Sequence, residues 1–226
     1  MEVQVELTPS TSVTALAYPS TARSRAGITL ILGHGAGAGQ SSPFMVNLAT
    51  GMAERGVDAV TFNFEYRQAG RRVPDPSEKL EACYRAVIET VRDHGSFRPN
   101  ALAIGGKSMG GRIASQIAAK EVRDLAGLVL LGYPLHPPGQ PEKLRTTHLP
   151  HIRAPMLFVQ GSKDAFGTPH ELEPFLARLK CPTKLYVVEG GDHSFKVPKQ
   201  SQRSQEEVYR AVYDEVARWL METVAT

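Results

Sequence analysis

Ala101-Leu102-Ala103-Ile104-Gly105-Gly106-Lys107-Ser108-Met109-Gly110-Gly111-Arg112 is a short apolar run that stops at paired glycines. A serine follows, and a helical pattern of small and apolar residues starts at once with Ile113, Ala114, Ile117 and Ala118. Gly106-Lys107-Ser108-Met109-Gly110 fits G-x-S-x-G, standing between a strand and a helix as a nucleophile elbow requires. The glycines have a steric task, because side chains flanking so sharp a turn would collide with neighbouring backbone. The serine is held in a strained conformation that pushes its hydroxyl clear.

Outward from the elbow, the chain alternates strands with helices. Val3 to Leu7 and Val13 to Tyr18 read as an opening pair of strands around Pro9-Ser10-Thr11-Ser12. Ile28 to Leu32 is a continuous apolar run, the pattern of a parallel strand covered on both faces. It ends in Gly33-His34-Gly35-Ala36-Gly37-Ala38-Gly39, small residues whose amides can approach a ligand closely. Ser42-Pro43 predicts a helix start, and Leu48, Met52 and Ala53 give that helix an apolar stripe.

Val57 to Phe64 is the next strand, followed by a polar loop from Glu65 to Arg72. Asp75-Pro76-Ser77-Glu78 resembles a capping box before a helix marked by Leu80, Tyr84, Val87 and Val91. Gly127 to Gly132, Pro155 to Gln160 and Thr183 to Val188 read as further strands. Helices open at Thr168-Pro169-His170-Glu171 and Ser204-Gln205-Glu206-Glu207, the last with a stripe of Val208, Val212, Val216, Trp219 and Leu220. This order predicts a three-layer α/β/α sandwich around a mostly parallel sheet, with residues 1–226 as one domain. Five prolines between Tyr133 and Ala154 mark a loop too short and irregular for a helical lid, which leaves a site there open.

Of the 226 residues, 42% are apolar and 22% charged, the balance of an ordinary soluble globular protein. A net charge of +3 with no basic run argues against nucleic acid as a partner. The N-terminus alternates like a strand and lacks the regions of a signal peptide, and no apolar run approaches a membrane span. The expectation is a cytoplasmic enzyme without a membrane partner. Cys83 and Cys181 make no disulfide framework and read as inert buried thiols.

A serine hydroxyl is a poor nucleophile until a base removes its proton. In an elbow of the hydrolase type the acid and then the histidine follow the serine in the chain. Asp164 follows the strand ending at Gln160, and His193 follows the strand ending at Val188. Both leave the carboxyl ends of predicted strands, the edge where open α/β sheets place ligands.

With these words together the chain resembles the α/β-hydrolase superfamily over nearly its whole length. His34-Gly35-Ala36-Gly37, the elbow through Arg112, and Gly191-Asp192-His193-Ser194-Phe195 are similar to its small lidless dienelactone-hydrolase-like branch. They are nearest to the testis-expressed protein 30 and NSL-complex subunit 3 relatives. The resemblance implies an eight-stranded sheet with its second strand antiparallel. Dienelactone hydrolases proper carry cysteine as nucleophile and this chain has Ser108, so a dienelactone substrate does not follow.

The resemblance also implies roles. Ser108 attacks an acyl carbonyl, His193 takes and returns the proton, and Asp164 orients the imidazole, with Asp192 as the rival acid. The amides of Ala36 and Met109 are the candidate oxyanion donors. His34, Tyr66, Arg71 and Phe195 are weaker candidates for the pocket wall, His34 reading first as a residue that shapes its loop. His136, His148 and His151 lack metal-ligand spacing and read as surface histidines, so neither metal nor cofactor is expected.

The activity expected is cleavage of a small-molecule carboxylic ester or thioester through an acyl-enzyme, with oligomeric state open. Two alternatives are a non-catalytic interaction module on the same scaffold and an acyltransferase or perhydrolase using the same three residues.

Overall fold

A computed structural model describes residues 1–94, 99–120 and 124–224. Its strands are β1 (Glu2–Thr8), β2 (Thr11–Tyr18), β3 (Ile28–Gly33), β4 (Asp58–Phe62), β5 (Ala101–Lys107), β6 (Leu125–Leu131), β7 (Met156–Gly161) and β8 (Thr183–Val188). The helices are α1 (Pro43–Glu54), α2 (Glu65–Gln68), α3 (Ser77–Asp93), α4 (Met109–Lys120), α5 (Pro169–Leu176) and α6 (Gln205–Val224). All eight strands join one open sheet in the order β1-β2-β4-β3-β5-β6-β7-β8. β2 is antiparallel to both neighbours and every later pairing is parallel.

Alternating side chains of the buried strands feed two cores. Ile31, Ile104, Leu128 and Leu130 pack with Leu80, Val87, Ile113 and Ile117 of α3 and α4. Leu30, Leu32, Ala103 and Val129 pack with Leu48 and Met52 of α1 and with Val212, Val216 and Leu220 of α6. Continuous apolar strands are what a sheet with two covered faces requires.

The helix starts differ in what holds them. Thr168 closes a reciprocal capping box with Glu171, and Ser204 and Glu207 exchange the same pair of bonds. Ser42 occupies the cap position of α1, yet its hydroxyl makes no capping bond and Pro43 opens the helix. The expected box at Asp75 is absent, because Pro76 stands at the cap and Asp75 binds Arg71 instead, at 2.8 Å. The polar loop after β4 contains the short helix α2. Between β6 and β7 the chain makes only one 3-10 turn, Leu149–His151.

The sheet changes direction of winding between β3 and β5, where α/β folds open a crevice at the carboxyl ends. Tyr84 of α3 pins this junction. Its buried hydroxyl faces the carbonyls of Ile31 and Gly105 at 2.8 Å each and accepts from the Gly105 amide at 3.0 Å. Replacing it strands a buried donor and two acceptors. Tyr84→Phe should lower stability by about 1–3 kcal/mol, read as a lower urea midpoint; an unchanged midpoint would show that water takes over these bonds.

Candidate active site

Ser108 sits between β5 and α4 with φ 50, a left-handed conformation unusual for a side-chain-bearing residue. The two motif glycines explain how the chain reaches it. A Cβ on Gly106 would lie 2.2 Å from the Gly33 carbonyl oxygen, and one on Gly110 2.1 Å from the same atom. The elbow is therefore pressed onto the end of β3, and the Ser108 amide is tied to Leu131 of β6 at 2.9 Å.

His193 and Asp164 meet Ser108 from two other loops. His193 Nε2 lies 2.9 Å from Ser108 Oγ, and its Nδ1 lies 2.8 and 2.9 Å from the two Asp164 oxygens. A carboxylate can only accept, so Nδ1 carries the proton and Nε2 is left to accept from the hydroxyl. Asp164 is buried and further held by the Phe166 amide (2.8 Å) and by Gln160 Nε2 (2.9 Å). The rival Asp192 is occupied elsewhere, as Oδ1 accepts from the amides of Ser194 (2.7 Å) and Lys196 (2.9 Å).

Of the proposed oxyanion donors, Met109 is the first residue of α4, where helix amides lack an intrahelical acceptor. Ala36 lies across from it on the loop after β3, and both residues line the same cavity. That cavity has a volume of about 720 Å³. Its walls combine the glycine loop, the start of α1, Asp75 to Leu80, the elbow, Pro134 and Arg145, Phe166, and Tyr209 and Tyr213 of α6.

None of His34, Tyr66, Arg71 and Phe195 lines this cavity, which corrects the expectation for all four. His34 is fully buried, donating from Nδ1 to the Gly35 carbonyl (2.8 Å) and accepting at Nε2 from the Phe64 amide (3.2 Å). Burial pushes it down to about 4, so it stays neutral and shapes the loop. Tyr66 is buried edge-on against that ring. Arg71 is half-exposed on its ion pair with Asp75. Phe195 is packed into the α1/α6 core.

The histidines read as surface residues include two that are not. His136 is buried against the Pro137 carbonyl and Glu171, and half-buried His148 bonds Ser115. Among the described residues no three His, Cys, Asp or Glu side chains cluster to hold a metal ion.

Sequence reasoning also passed over residues that the site uses. Gln160 ends β7 fully buried and bonds Asp164, Tyr133 and Gly167 through its amide; a glutamine closing an apolar strand was its only signal. Phe166 lies on the His193 ring with centroids 4.2 Å apart. Lys107 is buried as well. Its ammonium donates to the His193 carbonyl at 2.5 Å and lies over the Phe195 ring at 5.4 Å.

The sequence matches the alpha/beta hydrolase domain family over residues 26–221. The chain belongs to that family. Solved structures share its fold at low identity. Dienelactone hydrolase from Anabaena variabilis ATCC 29413 is 18% identical with TM-score 0.77, over 98% of this chain and 96% of that one. XC6422 from Xanthomonas campestris, described as an a/b serine hydrolase without lid, is 20% identical with TM-score 0.73, over 97% and 94%. Est1E from Butyrivibrio proteoclasticus is 15% identical with TM-score 0.76, over 100% and 99%. No helix among the described residues is long and apolar enough to cross a membrane.

Lys107 offers a test of how this hydrolase-family site is held. Burial pushes its ammonium down to about 8 from the usual 10.5, against the pull of Asp164 and Asp192. At neutral pH the charge then costs the fold on the order of 3 kcal/mol. Between those two pH values the unfolded chain binds more protons than the folded one, so the Lys107 contribution to stability rises with pH. Urea unfolding of wild type and Lys107→Met should show the difference moving in favour of wild type from pH 8 to 10.5. A difference independent of pH would mean the ammonium is solvated.

Proposed function

We propose that the protein is a serine hydrolase that cleaves a carboxylic ester or thioester through an acyl-enzyme. The observation that carries this reading is the pair of contacts on one imidazole, Ser108 Oγ at 2.9 Å on Nε2 and Asp164 at 2.8 Å on Nδ1. Family membership supports the hydrolytic class.

In this reading Ser108 Oγ attacks the acyl carbonyl carbon as its proton passes to His193 Nε2. The carbonyl oxygen becomes negative and is met by the amides of Ala36 and Met109, each donor being worth about 3–4 kcal/mol in the transition state. The α4 dipole favours the same charge. His193 then protonates the departing alkoxide or thiolate, leaving an ester on Ser108. A water gives a proton to the freed imidazole as it attacks that ester, and His193 then passes the proton to Ser108 Oγ as the acyl–Oγ bond breaks and the carboxylic acid leaves. Asp164 stays ionised throughout and stabilises the imidazolium. Gln160 and the Phe166 amide hold its carboxylate in place.

A fluorophosphonate probe should label Ser108, and Ser108→Ala should abolish both labelling and turnover of p-nitrophenyl acetate. A folded but unlabelled wild-type protein would leave only the interaction-module alternative. Asp164→Asn should cost roughly ten-thousandfold in kcat, and Asp192→Asn far less. Activity should also fall toward acid pH, because a proton on Nε2 removes the base. Product analysis with competing alcohol, thiol or peroxide nucleophiles separates hydrolysis from acyl transfer.

A further inference from the structure

The cavity wall nearest the elbow carries two arginines, Arg112 and Arg145, that no carboxylate among the described residues pairs with. Arg112 lies one helical turn beyond Ser108, its amide donating to the Ser108 carbonyl at 3.0 Å. Both residues line the cavity. Arg145 enters from the loop after β6, and its backbone is fixed on both sides. Its amide donates to Leu135 at 2.8 Å and its carbonyl accepts from the Tyr133 hydroxyl at 2.6 Å.

Both arginines are half-buried and both line the cavity. Among the described residues neither has a carboxylate within 4.0 Å, whereas Arg25, Arg55, Arg71, Arg85, Arg210 and Arg218 each do. Burial, with the Arg112 charge, holds Arg145 below its ordinary range.

The one acceptor that either guanidinium reaches among the described residues is uncharged, the Pro134 carbonyl at 3.4 Å from Arg145 Nη1. Ser115 Oγ donates to the Arg112 carbonyl (2.7 Å), so His148 Nε2 must donate to that hydroxyl (2.8 Å). Burial and Arg112 push His148 down to about 4, which keeps it neutral. Glu81, the carboxylate behind this wall, is taken by Lys120 and Arg85. Asp75, the acidic residue lining the cavity, pairs with Arg71 through Oδ1, while its Oδ2 is buried without a hydrogen-bond partner among the described residues. A pair of unscreened guanidiniums in a concave wall is a fork for an oxyanion, which they bind with parallel hydrogen bonds.

We propose that Arg112 and Arg145 form an anion subsite, and that the substrate is an ester or thioester bearing a carboxylate or phosphate within a short chain of the scissile carbonyl. This rests on the hydrolase reading above. The anion docks on the wall while Ser108 reaches the acyl carbon. The openness of the site, where a single 3-10 turn replaces a lid, suits a charged and hydrated ligand.

Two substrate pairs test this without knowledge of the natural compound. One is p-nitrophenyl hydrogen adipate against its methyl ester, with the anion on the acyl side. The other is 4-acetoxyphenyl phosphate against 4-acetoxyanisole, with the anion on the leaving group. In at least one pair kcat/KM should favour the anionic member about tenfold or more, and which pair does so tells on which side the anion sits. Arg112→Gln and Arg145→Gln should each pull that ratio toward one, and the double substitution should abolish it. Arg210→Gln, on the far exposed face of α6 and paired with Glu206, should leave the ratio unchanged.

Fluorophosphonate labelling of each variant confirms that it is folded. If the neutral member is turned over as well as the anionic one in both pairs while Ser108 is labelled, the subsite is refuted and the hydrolase reading stands. If no ester is cleaved and Ser108 is not labelled, the hydrolase reading fails and takes the subsite with it.

Discussion

The carbonyl oxygen of Gly33 is the point on which the site is built. Gly106 and Gly110 both close on it, leaving no room for a Cβ at either position. That contact brings the elbow directly under the loop that leaves β3, so the Ala36 amide and the start of α4 face one cavity. A strained serine costs free energy, and here four neighbouring strands hold it. β3, β4, β5 and β6 run parallel side by side, and Tyr84 locks β3 to β5 from below. Ser108 is placed by packing of main chain on main chain, the stiffest arrangement that a sheet offers.

Asp164 and His193, by contrast, are placed by polar groups in the interior. Asp164 is buried and accepts from Gln160, from the Phe166 amide and from His193. The His193 loop is gripped by Lys107, whose ammonium sits under the His193 carbonyl and against the Phe195 ring. Burying a positive charge there is costly. The carboxylates of Asp164 and Asp192 offset part of that cost. Elbow and base are thus joined twice, once through the Ser108 hydroxyl and once through the side chain of the residue before it.

Much of this architecture is legible in the sequence because it rests on periodicity and spacing. The stripe of Val208, Val212, Val216, Trp219 and Leu220 buries as its spacing requires, and Thr168 and Glu171 close the box that their order announces. Ser108, Asp164 and His193 stand out in the sequence by chain order at strand ends, and the structure brings their side chains into contact. What escaped are properties of the folded environment. Lys107 looks like any surface lysine until the Gly132 turn and the His193 loop close over it. Phe195 sits two residues from the imidazole but turns into the opposite core. Arg112 and Arg145 are 33 positions apart, and only the return of the loop after β6 brings them to one wall.

The backbone of Phe195 adopts φ 62 with its side chain wholly excluded from solvent among α1 and α6 residues. The loop is thus nailed to the hydrophobic interior immediately past the base, and Gln205 of α6 braces the Phe195 carbonyl at 2.9 Å. The C-terminal helix and the loop that carries the imidazole are therefore bolted together through one aromatic ring and one amide.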